Sequence, residues 1–541
     1  MAPGRALRRA LSVAMLGALT AFVAALRFLA STFNNDHFVH LTAAQQVRFG
    51  DWPTRDFIDI GRPLTILTSA AGQWWLGDTL FADAVVVSVG FGLAAAFTAA
   101  LVFRVTGSLS LAFAAVLIET AAFPRTFAYP KLLATAMGLW LIGRYLREPG
   151  SVRLFLMAGG TALAFLFRHD LGLFVGVGSL LAVVMATWAE PMRMRWRAGV
   201  IFVAMALAIV APYLAYVELN GGLGNYVATA VEQNSTEPGY VWPNPLVFAE
   251  GRESQLLYLF HAVPFAALAV CFVMWRRGHA DWSVRFIACA AAVGIAENFG
   301  LIRHTLEARI PDAIVPVVLI GSWLVWRAWR ASSLGVAIPS TLLFVLAGIA
   351  VADMGAVREN LNRADITADL LRQPTAIASR FRERSAALHD RFGDAYSRYV
   401  IPLRPFFSYL DRCTTEEHRL FLGGLIPEVG YIARRPFAGG GYENFNFSSP
   451  ANQQRVIDRL RRQLAPFAVL PGGPDSLDNN VPVLAAYLHS RYVPLADIPV
   501  PGVTPIRLMV DRMLPPRSRD AETGWPCFTH GISAEQETKA L

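Results

Sequence analysis

Eleven apolar runs fill the first two thirds of this chain, at residues 11–30, 79–105, 108–123, 131–146, 152–167, 171–188, 198–217, 256–275, 284–302, 313–329 and 334–354. A helix of about 20 apolar residues crosses the ~30 Å hydrocarbon of a bilayer and satisfies every backbone hydrogen bond within itself. The runs therefore predict a mostly α, polytopic membrane bundle over residues 1–355. Residues 356–541 are polar and mixed, and predict a soluble α/β domain. A content of 54% hydrophobic and only 16% charged residues, with mean hydropathy +0.41, excludes an ordinary soluble protein. The net charge of +8 does not point to nucleic acid, because the arginines lie between apolar runs, where the positive-inside bias and anionic lipid heads account for them.

Arg5, Arg8 and Arg9 precede an apolar stretch that continues through Phe28. That pattern fits an uncleaved signal anchor with a cytoplasmic N-terminus in a multi-pass inner (plasma) membrane protein. The segment Pro63–Leu76, PLTILTSAAGQWWL, is apolar but only 14 residues long, which suits an interfacial or re-entrant helix. Charge decides its path. If it does not cross, the clusters Arg144/Arg147/Arg153, Arg193/Arg195/Arg197, Arg276/Arg277/Arg285 and Arg327/Arg330 all fall on the side of the N-terminus. The loops 31–78, 124–130, 168–170, 218–255 and 303–312, and the whole tail, are then extracytoplasmic. Cys413 and Cys527 lie in that tail, where a disulfide is open to them, although nothing in the sequence sets their separation.

Charge collects on the outer side. NNDHFVHLTAAQQVRFGDWPTRDF, residues 34–57, brings Asp36, His37 and His40, with Asp36 and His40 on one face if the stretch is helical. Asp51, Asp56, Asp59 and Arg62 follow. FPRTFAYPK contributes Arg125, Tyr129 and Lys131, FRHD contributes Arg168, His169 and Asp170, and LIRHTLEARIPD contributes Arg303, His304, Glu307, Arg309 and Asp312. Short outer loops disfavour arginine and lysine, so cations recurring there call for an anionic ligand. Each group also has a plainer explanation: Arg168 can pair with Asp170, Lys131 can reach lipid phosphate, and Asp59 to Arg62 can be a turn.

An acid just after the first helix, an amphipathic stretch ending in Gly-Asp-Trp-Pro, then DFIDIGRPL and an interfacial apolar helix together resemble the GT-C glycosyltransferases, particularly bacterial relatives of the protein O-mannosyltransferases and of the lipid A aminoarabinose transferase. The resemblance spans residues 10–355. It implies that Asp36 is the catalytic acid and that a polyprenyl-phosphate-linked sugar, hexose or pentose, is the donor. Lys131, Arg168, Arg303 and Arg309 would hold its phosphate. His37, His40, Asp59, Arg62, Tyr129, His169, Asp170, His304 and Glu307 complete the expected substrate-binding set. The acceptor is expected to be a cell-envelope glycan, lipid or protein, and the transfer inverting. Many relatives carry two adjacent acids where this chain has Asn35, Asp36 and His37, so no metal ligand is assigned and a divalent cation is the one cofactor left open.

A transporter of an anionic or lipid-linked substrate is the alternative, but the chain shows neither an internal repeat nor matched Gly/Pro breaks in two halves. A scaffold presenting the tail would leave the loop cations unexplained. Within the tail, HRLFLGGLIPEVGYIA and FAVLPGG read as short strands, and PANQQRVIDRLRRQL and VPVLAAYLHSRY as amphipathic helices. RPFAGGGYENF reads as a glycine-rich loop without phosphate-loop spacing.

Overall fold

All eleven apolar runs are helical in the computed structural model, which describes residues 3–59, 61–241, 252–301, 309–331, 334–366, 373–392, 399–441, 449–477 and 480–529. The bundle contains α1 (Pro3–Leu29), α4 (Leu80–Thr106), α5 (Leu109–Ala121), α6 (Tyr129–Arg147), α7 (Ser151–Phe167), α8 (His169–Ala186) and α9 (Met192–Asn220). After α10 (Leu223–Val241) it continues through α11 (Arg252–Arg276), α12 (Trp282–Leu301), α13 (Ile314–Arg330) and α14 (Leu334–Met354). Among the described residues six helices are long and apolar enough to span a membrane on those grounds alone. Val13–Leu29, Leu109–Ala121 and Ser151–Phe167 are apolar but shorter. The expected count of eleven spans is thus not fixed by length and hydropathy, because α6 and α12 carry charges such as Lys131 and Glu297 within their helical length.

Two helices precede α4 in the first loop: α2 (Asn35–Arg48) and α3 (Pro63–Leu76). Pro63 opens α3 at a position where its missing N–H is harmless, and Gly77, at φ +94°, ends it. Both helices sit at the tail end of the bundle. There Arg27 donates to the carbonyl of Pro124, Thr32 N donates to Thr126 Oγ1, and Thr65 Oγ1 donates to Phe167 O at 2.7 Å. The far end is marked by Trp282, which donates to Gly143 O at 2.8 Å, and by Asp281, 3.6 Å from Arg327.

The tail begins with α15 (Val357–Arg363), α16 (Pro374–His389) and α17 (Val400–Cys413), and contains a four-stranded mixed sheet. Strands β1 (Leu420–Leu422) and β2 (Phe467–Pro471) are parallel, β2 and β4 (Ile506–Asp511) are antiparallel, and β4 pairs antiparallel with β3 (Tyr492–Ile498), giving the order β1-β2-β4-β3. Only the first part of HRLFLGGLIPEVGYIA is a strand. Gly424, at φ +84°, ends it, and Pro427 starts α18 (Pro427–Ala433). The two expected amphipathic helices are α19 (Pro450–Arg462) and α20 (Pro482–Arg491).

Alternation along β2 divides two cores. Ala468 and Leu470 face α19 and α20 with Ile457, Leu460, Leu484 and Leu488. Phe467 and Val469 belong instead to a core shared with the first loop, in which Phe28, Phe38, Leu41, Phe57 and Leu80 pack with Phe406, Phe407, Tyr409, Phe437 and Leu508. Polar contacts reinforce that union: Arg419 grips Asp51 with two hydrogen bonds, and Thr42 Oγ1 donates to Pro427 O at 2.7 Å. Cys413, at the end of α17, is disulfide-bonded to Cys527.

Candidate active site

Asn34 caps α2, its side-chain oxygen accepting from His37 N at 3.3 Å, and so sets Asp36 in the first turn, where the positive end of the helix favours an acid. Asp36 is half-exposed and its Oδ2 accepts from Arg125 Nη1 at 2.9 Å. One helical turn along, His40 is buried beside Phe127, with ring centroids 5.9 Å apart. Burial pushes the His40 pKa well below the usual histidine value. The positive charges of Arg62, Arg168 and Lys131 act in the same direction. Cations from three separate segments thus act electrostatically on one buried imidazole, which favours its neutral form.

Lys131 is paired with Asp312, and Arg309 stands 3.8 Å from the same carboxylate. Lys131 Nζ also lies 5.8 Å from the Phe127 ring centre. One turn below it, Thr135 donates to Glu297 Oε1 at 2.5 Å, so a polar column runs inward from Lys131. Arg168 pairs with Asp170 at 2.7 Å. That segment is fastened to the first loop through its backbone, His169 N donating to Gly61 O at 3.1 Å. Gly61 has φ +105°, and a Cβ there would lie 2.6 Å from His169 Nδ1, so the approach needs glycine. Asp59 closes the turn: its Oδ1 accepts from Gly61 N and Arg62 N at 3.1 and 3.0 Å, and its Oδ2 accepts from Tyr213 Oη at 3.2 Å. The Arg62 guanidinium makes no ion pair among the described residues.

Two expected residues are turned into packing. His37 is 2% exposed and bonds Asp83 of α4, which also accepts from Ser69 Oγ of α3, tying three helices together. Tyr129 is buried against Gly90, where an added Cβ would come within 2.3 Å of its ring. Arg303, His304 and Glu307 lie outside the described residues. Phe127, Tyr213 and Tyr226 were not singled out from the sequence, since aromatics within or beside apolar runs carry no spacing signal. Among the described residues no three His, Cys, Asp or Glu side chains gather as a metal site, and the donor set at Asp36 is one carboxylate engaged by an arginine, which does not fit a bound divalent cation.

No family model matches the chain, and no curated protein is significantly similar to it in sequence. Among solved structures, ArnT from Cupriavidus metallidurans bound to undecaprenyl phosphate superposes over 97% of this chain and 100% of that one, with a TM-score of 0.50 and 15% identity. The fold is of GT-C type. ArnT in the apo state covers 93% of this chain and 98% of its own, with a TM-score of 0.48 and 13% identity. The likeness of fold covers the tail as well, whereas the resemblance expected from the sequence is confined to residues 10–355.

Proposed function

We propose that this protein is a membrane glycosyltransferase that moves a sugar from a polyprenyl-phosphate donor to an extracytoplasmic acceptor, a cell-envelope glycan, lipid or protein. One observation carries the reading: Lys131 and His40 both lie against Phe127, one turn from Asp36, and the charges of Arg62 and Arg168, from two further segments, act on the same buried imidazole. The undecaprenyl phosphate bound to ArnT supports a donor of that class in this fold. In this reading the N-terminus is cytoplasmic, and the tail and cation cluster face outward. Residues 356–541 form the extracytoplasmic domain.

Asp36 acts as general base on the acceptor hydroxyl. Its Oδ2 is oriented by Arg125, and a base in that role contributes about 10²- to 10⁴-fold. The departing polyprenyl phosphate is a weak base and needs little protonation. It needs charge stabilisation, which fixed cations at a low-dielectric boundary supply. His40, being neutral, offers a hydrogen bond without adding charge. A single displacement of this kind inverts the anomeric centre and forms no covalent sugar–enzyme intermediate. Lys131 and Arg168 already have carboxylate partners, so Arg62 is the first candidate to contact the phosphate.

The test is to incubate purified protein with a panel of polyprenyl-phosphate sugars and follow release of polyprenyl phosphate. Release from at least one donor is expected, with Arg62→Ala raising KM for that donor more than it lowers kcat. Absence of release from every donor, with acceptor extract supplied, overturns the assignment.

A further inference from the structure

A cavity of about 280 Å³ lies where the first loop, the α9–α10 link and the tail meet, lined by Thr54, Asp59, Asn225, Tyr226, Asn452, Arg455 and Arg459 among others. Arg455 and Arg459 stand one turn apart on α19 and both face it. Neither is paired with a carboxylate among the described residues. Arg455 donates to the amide oxygens of Asn225, at 2.7 Å, and Asn452. Arg459 donates to two backbone carbonyls, Asp56 O at 2.9 Å and Arg55 O at 3.3 Å. All four acceptors are neutral, so among the described residues two like charges are held together with no counter-ion in contact.

That arrangement is electrostatically costly unless an anion completes it. Burial and the neighbouring Arg455 and Arg462 both push the Arg459 pKa down, and Asp56 and Asp51 only partly oppose them. The acid on the opposite wall, Asp59, is already occupied by three donors. Glu232, behind Asn452, is engaged by that amide and by Ser449 N. The glycine-rich stretch read from the sequence makes the space. Gly440 has φ +75°, and a Cβ there would fall 1.8 Å from Arg459 Nη1, so any side chain would displace the guanidinium. The remaining groups, side-chain amides and the ring of Tyr226, are the usual means of holding a sugar's hydroxyls and its apolar face.

Resting on the transferase reading, we propose that this cavity holds the acceptor by a carboxylate or phosphate on a saccharide unit, with Arg455 and Arg459 taking the charge. The cavity shares Asp59 with the turn that carries Arg62, and Tyr226 is hydrogen-bonded through Tyr213 to that same Asp59, so an acceptor seated here lies beside the proposed donor site.

The experiment uses the full chain in lipid nanodiscs and measures binding of three matched trisaccharides: one carrying carboxylates, one a phosphate, one uncharged. At least one charged probe should bind about tenfold or more tightly than the neutral one, and which of the two does so distinguishes carboxylate from phosphate. Arg455 is exposed, so Arg455→Glu should leave the thermal midpoint unchanged while weakening the charged probe by about tenfold or more, and Arg455→Lys should restore most of the binding. Equal binding of neutral and charged probes, no binding of either charged probe, or wild-type binding by Arg455→Glu overturns the proposal. Charged-probe binding without polyprenyl phosphate release from any donor would instead refute the transferase reading and leave the cavity's anion chemistry standing.

Discussion

At the far end of the bundle, Arg104 lies over Trp140 and Trp282 at 5.2 and 5.4 Å, Arg195 over Trp188 at 4.9 Å, and Arg330 over Trp326 at 5.3 Å. At the tail end, Lys131, Arg125 and Arg168 are each held by a carboxylate from the surrounding loops, and Lys131 with Asp312 is almost fully buried. A cation stacked on an indole is held by the ring face and needs no particular carboxylate. A cation paired with a carboxylate depends on one particular partner, most strictly in the buried Lys131–Asp312 pair, while the Arg125 and Arg168 pairs are partly exposed. Cations therefore stack on indoles at one end and are tied to individual acids at the other.

The sharpest way to break this contrast is to alter one acid at each end. Asp36→Asn should lower transfer by about 10²- to 10⁴-fold without shifting the thermal midpoint. Asp281→Asn, 3.6 Å from Arg327 at the opposite end, should leave turnover unchanged. Equal loss in both, measured as polyprenyl phosphate release, would show that the two ends do not differ in kind.

Stability should separate the ends next. The Cys413–Cys527 link closes a sequence separation of 114 residues, worth about 4–5 kcal/mol in the chain-entropy picture. Reductant should lower the thermal midpoint of the tail-end core. A melt unchanged by reductant removes the disulfide as a support of that core. Asp312→Ala leaves Lys131 buried without its partner and should cost about 3–5 kcal/mol, whereas Arg330→Gln, over Trp326, should cost about 1 kcal/mol or less. Comparable melts for those two variants would make the buried pair no different from the stacked one.

The smallest effect is one of pH. The folded pKa of His40 is far below 6.5, while the unfolded chain titrates near 6.5. Below pH 6.5 the unfolded state takes up a proton that the folded state refuses, so stability should fall with acidification by up to about 1.4 kcal/mol per pH unit. It should be constant, in this respect, above that pH. His40→Gln should flatten the slope between pH 6.5 and 5, and an identical slope in both proteins would mean that His40 is not held neutral.

The bundle was legible because the length of an apolar run is written locally: each of the eleven runs is a helix, and the basic clusters do gather at the end away from the tail. The spacing of Asp36 and His40 also placed both on α2. What spacing could not give was their unequal burial, since Phe127, which lies against His40, comes from a different loop. His37 looked like a third site residue because its partner, Asp83, lies 46 residues away inside an apolar run. Strand β2 was visible in FAVLPGG, but β3 and β4 alternate too weakly to stand out and are defined by their pairing. The Arg419–Asp51 clamp joins residues 368 apart, and ordinary residues at such a distance leave no local trace.

The shared core of the first loop and the tail also sets an order of events in the life of the chain. Phe38 and Phe57 leave the ribosome early, yet Phe406, Phe437 and Leu508 that enclose them are made hundreds of residues later. Until those later residues have been made, the helix bearing Asp36 lacks the part of its supporting wall that they provide, so this end of the fold can close only after the bundle has been synthesised. A chain cut short after the bundle would insert in the membrane with that end unsupported.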